Sequence, residues 1–144
     1  RPETVYARSR KVFPGGGEWA DYIALQVGFA GGGEGAYESG IGSYVGRYGF
    51  RFYCEQATLL SDAAFDRTAL QVYGADGDKI DVSAEFTPEH PVQAELRDWM
   101  AALRGEAPVP IPGEEGLATV ALAEAAYRSA ATGAIVRYSD VLGN

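Results

Sequence analysis

The side chains with the richest chemistry in this 144-residue chain are one histidine and one cysteine. His90 stands in Pro88-Glu89-His90-Pro91-Val92, and no second ligand type stands near it at metal-site spacing. It reads as a solvent-facing or cap-adjacent residue in the first turn of a helix. Cys54 alternates with Phe50 and Phe52, which makes it a small buried hydrophobe in a strand, because a nucleophilic thiolate needs an electropositive neighbourhood. The glycine runs FPGGGEW and FAGGGEG lack the Lys-Ser/Thr of a triphosphate loop. They also fall between predicted strands, so no helix N-terminus is offered to a phosphate. Glu114 and Glu115 are adjacent rather than opposed across a cleft, and they suit the positive end of a helix better than acid/base work. No catalytic, cofactor-binding or metal-ligating set emerges from the residues themselves.

The stretch RYGFRFYCE carries a different signal. With period-two alternation Tyr48, Phe50, Phe52 and Cys54 share one side of a strand, and Arg51, Tyr53 and Glu55 share the other. Tyrosine is frequent, with nine in all, and Tyr22, Tyr37, Tyr44, Tyr48, Tyr53 and Tyr73 lie on or beside predicted strands. Tyrosine combines apolar area with a polar tip. These residues either finish the sheet edges or form an interface.

The elements that must position them are strands first and helices second. Strands are predicted at residues 5–13, in DYIALQVGFA at 21–30 (where Ile23, Leu25, Val27 and Phe29 alternate with Tyr22, Ala24, Gln26 and Gly28), in AYESGIGSY, in RYGFRFYCE, at 57–61, at 68–73 and at 79–84. Gly31-Gly32-Gly33 and Gly74 to Asp78 supply turns. From Thr87-Pro88, read as a cap and first helical position, Val92, Leu96, Trp99, Met100 and Leu103 form one helical stripe that should bury against the sheet. A second helix should run from Glu114 to about Thr132, stopped by Gly133, its many alanines implying close approach to a neighbour. Ile135 to Tyr138 reads as a closing strand. The class is α+β: an open antiparallel sheet of about six to seven strands with two helices on one face.

Size and charge set the bounds. One domain fits this length, with a core large enough to need no disulfide or metal. No run approaches the roughly eighteen apolar residues of a membrane span, so a soluble chain is expected. A net charge of -8 with no basic stripe argues against nucleic acid as a partner. A lone cysteine and no signal-peptide pattern favour a reducing compartment, the cytoplasm. The chain has no initiator Met and enters a strand almost at once, which is expected of a piece of something longer.

The tail AELRDWMAALRGEAPVPIPGEEGLATVALAEAAYRSAATGAIVRY resembles the end of Gfo/Idh/MocA-type oxidoreductases. Its marks are Glu95, Trp99, Gly105, Pro108, Glu115-Gly116, Ala125, Ser129 and Gly133. Upstream, Pro2, Val5, Ala7, Asp21, Tyr48-Gly49-Phe50 and Thr58-Leu59 follow in the family's order. The resemblance implies that this is the C-terminal sheet domain. An N-terminal Rossmann domain binding NAD or NADP, a Glu-Lys-Pro lysine and an Asp-x-x-x-His motif would precede it in the parent. The parent would then pass hydride between a nicotinamide and a sugar or polyol carbon, while this chain alone would be inert. In inositol-dehydrogenase-like members a Tyr-Gly-Tyr segment touches substrate. Tyr48 matches its first position, and Phe50 replaces the second and lacks the hydroxyl. On this reading Tyr48 and Phe50 line the substrate pocket at the end of a face covered by the nucleotide domain, with Phe52 and Cys54 deeper beneath the helices. Cys54-Glu55-Gln56-Ala57-Thr58 stands where the family has Gly-x-x-Gly, which leaves the substrate unspecified.

With helices on one face only, the other face of the sheet needs cover from outside the chain. Tyr22, Ala24, Gln26 and Gly28, with Arg51, Tyr53 and Glu55, are expected at an oligomer interface. A freestanding, non-catalytic dimerisation or ligand-binding module is the alternative reading.

Overall fold

A computed structural model describes residues 1–15, 17–41, 46, 48–63, 66, 69–85 and 89–143. Its elements are β1 (Pro2–Arg10), β2 (Tyr22–Phe29), β3 (Glu34–Gly40), β4 (Phe50–Tyr53), β5 (Ala57–Ser61), β6 (Gln71–Gly74), β7 (Lys79–Ile80), α1 (Pro91–Leu103), α2 (Gly113–Thr132), β8 (Val136–Arg137) and α3 (Ser139–Leu142). The α+β class expected from the sequence holds, with all strand ladders antiparallel. Among the described residues the strands form two sheets of four, ordered β3-β2-β1-β8 and β4-β5-β6-β7, where one sheet of six to seven was expected. The division arises because β4 pairs forward with β5, leaving β3 and β4 each at a sheet edge. The chain divides into two compact units, Arg1–Tyr44 with Ile111–Asn144, and Val45–Pro110.

In the first unit the period-two pattern sets the core. Val5, Ala7 and Ala125 are completely buried, and Ile23, Leu25, Leu122 and Ala130 pack around them. The alanines of α2 therefore meet β1 closely, as their small size requires. The β1–β8 ladder covers only Thr4 and Val5, so the N–H of Ala7 has no strand partner on that side. Ser129 of α2 supplies one: its Oγ accepts from Ala7 N at 2.8 Å and donates to Ala134 O at 2.6 Å. This explains a serine in an otherwise apolar helix face, since a buried backbone donor left unpaired is costly. Tyr138, 2 % exposed, closes the end of this core. Its N–H donates to Glu3 O at 2.9 Å and its hydroxyl to Ala118 O at 2.9 Å. Gly133 ends α2, as expected, and the closing strand is followed by α3, which the sequence did not signal.

In the second unit, β6 turns into β7 through Gly74 to Asp78, with the Asp76 carboxylate accepting from Asp78 N at 3.1 Å. The start of α1 differs from expectation. Thr87-Pro88 and Tyr44 lie outside the described residues, and α1 begins at Pro91 with His90 as its cap. The Nδ1 of His90 accepts from Val92 N at 3.3 Å, which fits the cap-adjacent role read from its position. The stripe Val92, Leu96, Trp99, Met100 and Leu103 is not buried: these residues are 46–70% exposed. Ala94 is the buried residue of α1, and at 100° per residue it lies on the side of the helix opposite the stripe.

Candidate functional site

Tyr48 and Phe50 are placed by a backbone constraint at Gly49. A Cβ at Gly49 would lie 2.6 Å from Ser61 O, so only glycine lets the segment run against β5. Tyr48 bridges Ala63 in parallel sense and presents a ring that is 67% exposed. Phe50 begins β4 half-buried, and its ring meets that of Phe52 at 5.3 Å with the planes tilted by 44°. Phe50 and Phe52 thus share a side, as alternation requires. Phe52 and Cys54 are not held under helices, however: Phe52 is 57% exposed and Cys54 is exposed. Cys54 leaves β4 at the hairpin turn, where its N–H donates to Ala57 O at 2.9 Å, and its side chain meets solvent there.

The structure brings Tyr22, Ala24, Gln26 and Gly28 together on the face of β2 turned away from the core of α2. Gly28 keeps this face flat, since a Cβ there would sit 2.6 Å from Thr4 Oγ1. The register sets Arg8 and Glu38 on either side of Ala24, and Tyr6 and Ala36 on either side of Gln26. Tyr6, Arg8, Ala24, Gln26, Ala36 and Glu38 line a shallow concavity of about 540 Å³. Sequence reasoning missed Tyr6, Arg8, Ala36 and Glu38; carrying the phase of β2 across to its neighbours would have found them. Burial raises the pKa of the Tyr22 phenol, and the charge of Glu38 and a hydrogen bond to it add to the rise. Arg51, Tyr53 and Glu55 lie exposed in the second unit, on or just after β4 in the other sheet.

Two further features of the first unit are structural. Asp21 organises the β1–β2 loop: its carboxylate accepts from Val12 N at 2.6 Å and Phe13 N at 2.8 Å. Burial disfavours its charge, but these backbone donors and the nearby Lys11 outweigh that and lower its pKa. On the helix side, α2 leaves the β2–β3 half of the sheet as an apolar cleft of about 640 Å³, lined by Ile23, Leu25, Val27, Phe29, Leu122 and Tyr127 among others.

Residues 3–138 match the family described as "Oxidoreductase family, C-terminal alpha/beta domain". The chain belongs to the Gfo/Idh/MocA oxidoreductases. Solved structures share this fold. An oxidoreductase from Agrobacterium radiobacter in complex with NAD+, L-tartaric acid and magnesium is 24% identical at TM-score 0.72, over 96% of this chain and 44% of its own. The aldose-aldose oxidoreductase of Caulobacter crescentus with glycerol is 21% identical at TM-score 0.76, over 94% and 41%. The WlbA dehydrogenase of Bordetella pertussis with NADH and UDP-GlcNAcA is 19% identical at TM-score 0.71, over 94% and 42%. The Gfo/Idh/MocA domain described here thus spans less than half the length of each of these proteins. A search of curated proteins by sequence found no match.

A dinucleotide is ordinarily gripped by a glycine-rich turn leading from a strand into a helix N-terminus. In this Gfo/Idh/MocA domain Gly31 and Gly32 turn β2 into β3 instead. The His90 ring engages Val92 N–H in the first turn of α1, and α2 opens with Glu114 and Glu115, whose charges repel phosphate. These residues do not fit a nicotinamide dinucleotide. No helix among the described residues is long and apolar enough to cross a membrane.

Proposed function

We propose that this domain is the substrate-wall and assembly half of an NAD(P)-dependent oxidoreductase acting on a sugar, polyol or related hydroxy compound. The family match over residues 3–138 carries the reading. Two named relatives, the aldose-aldose oxidoreductase and WlbA with UDP-GlcNAcA, favour a carbohydrate-like substrate. In this proposal NAD or NADP binds the Rossmann half of the parent protein, and the sheet domain contributes Tyr48 and Phe50 to the substrate pocket. Tyr48 suits that role because the close backbone packing at Gly49 fixes its position while its side chain is largely exposed. The assembly role falls to the open face of β1, β2 and β3, with the exposed Arg51, Tyr53 and Glu55 as a second surface for the same use. The unpaired Cys54 suits a cytoplasmic setting.

In the full-length enzyme Tyr48→Ala is expected to lower kcat/KM by roughly tenfold or more, the scale of about 1.4 kcal/mol of lost transition-state binding, and to leave the cofactor dissociation constant unchanged. Steady-state kinetics with a cofactor titration checks this. An unchanged kcat/KM would remove Tyr48 from the pocket.

A further inference from the structure

Among the described residues of the second unit Ser61 is the one buried polar residue, 3% exposed at the end of β5. Its Oγ accepts from Ala63 N at 3.1 Å and so turns the chain out of the strand. The carbonyl of Ala63 is held in turn, accepting from Asp66 N at 2.8 Å. Both backbone groups of Ala63 are therefore fixed, and Ala63 is the residue that Tyr48 bridges.

Gly49 meets the same corner from the other side. A Cβ there would lie 2.6 Å from Ser61 O and 3.2 Å from Asp62 Cα, so the backbone that carries Tyr48 rests directly on the backbone that carries the serine. Two contacts thus seat Tyr48, and both run through residues 61–63. The other group that could hold this corner is the Arg51–Asp62 ion pair, but it is 3.7 Å long between side chains that are 60% and 70% exposed, so it contributes little. The buried hydroxyl is the stronger anchor, because without it the N–H of the half-buried Ala63 loses its acceptor. A serine that closes a turn two residues on is ordinary wherever a strand ends. This one differs in that the residue it holds is bridged to Tyr48.

We infer that Ser61 is a positioning residue for Tyr48: its hydroxyl fixes Ala63, and Ala63 together with Gly49 fixes where the Tyr48 ring enters the substrate pocket. This rests on the reading of Tyr48 as part of that pocket and adds the group that aims it.

The test is a double-mutant cycle in the full-length enzyme. Its probe is the aldose or polyol, out of D-glucose, D-xylose, glycerol and myo-inositol, that the unmodified enzyme oxidises fastest. Ser61→Ala is expected to lower kcat/KM for that probe by about fivefold, since a small misplacement of a substrate-touching group is felt in the transition state, and to leave the cofactor dissociation constant unchanged. In enzyme already carrying Tyr48→Ala the same change should alter kcat/KM by less than about twofold, because the group that Ser61 aims is gone. Ser61→Cys keeps the size of the side chain but accepts a hydrogen bond only weakly, so it should give the same pattern, and it decides the test where the alanine variant does not fold. Equal losses with and without Tyr48 would mean that the hydroxyl serves the fold and not the ring, which overturns the inference. An unchanged kcat/KM for both Ser61 variants, in an enzyme that Tyr48→Ala impairs, also overturns it and leaves the Tyr48 reading standing. An unchanged kcat/KM for Tyr48→Ala overturns the two together.

Discussion

Ser129→Ala should destabilise the first unit by about 2 kcal/mol, seen as a fall of roughly 1 M in the urea midpoint. The size of the effect follows from what the hydroxyl does. Ala7 is completely buried and its N–H donates to Ser129 Oγ, because the β8 ladder stops two residues earlier. Alanine fits the helix at least as well, so the loss comes from the unpaired donor on the strand and not from α2 itself. Thr132→Ala is the matched control. Thr132 Oγ1 donates to Arg128 O at 2.8 Å and accepts from Ala134 N at 3.4 Å, but both contacts are exposed at the end of α2. Removing it should change stability by less than about 0.5 kcal/mol. Equal midpoints for Ser129→Ala and the unmodified chain would mean that the serine satisfies nothing essential.

Ala24→Arg and Gln26→Arg should each convert a dimeric chain to monomer. Both residues sit on the middle strand of the open face, where a dimer buries the added guanidinium. At position 26 it lies between Tyr6 and Ala36 with no anion level with it, and at position 24 between Arg8 and Glu38, where two cations then compete for one carboxylate. An uncompensated buried charge costs about 3–5 kcal/mol, equivalent to a rise in dissociation constant of more than about a hundredfold. Sedimentation across a micromolar concentration series reads this directly, and circular dichroism checks that the fold is kept. If the unmodified chain sediments as a monomer and the arginine variants behave identically, the face is simply solvated.

Much of the first unit was legible because its signals are local and two-sided. The alternation of Tyr22, Ala24, Gln26 and Gly28 with Ile23, Leu25, Val27 and Phe29 predicts β2 and its phase, and the structure puts the two sets on opposite faces. The alanines of α2 predicted close approach to a neighbour, and Ala125 and Ala126 meet β1. Periodicity is blind to the surface an apolar face meets. The stripe of α1 exists as read, but Ala94 is the buried residue of that helix and the stripe lies exposed. Cys54 was misplaced for a related reason: alternation fixes the side of a strand, while burial depends on whether an element covers that side. Register was the other hidden quantity. Nothing in the linear sequence sets Glu38 level with Ala24 and Arg8, and only the paired strands reveal that the open face has a basic and an acidic side. The division into two sheets was equally out of reach, because it depends on which neighbour β4 chooses.

The proposed function makes this chain the cofactor-free half of its enzyme, given to substrate and assembly. Calorimetric titration of NADH into the 144-residue chain tests that most directly. The glycine turns of the described residues join strand to strand, and the long helices begin with a ring-capped turn and a pair of glutamates, so no binding heat is expected at micromolar to submillimolar cofactor. A stoichiometric isotherm with micromolar affinity would contradict it.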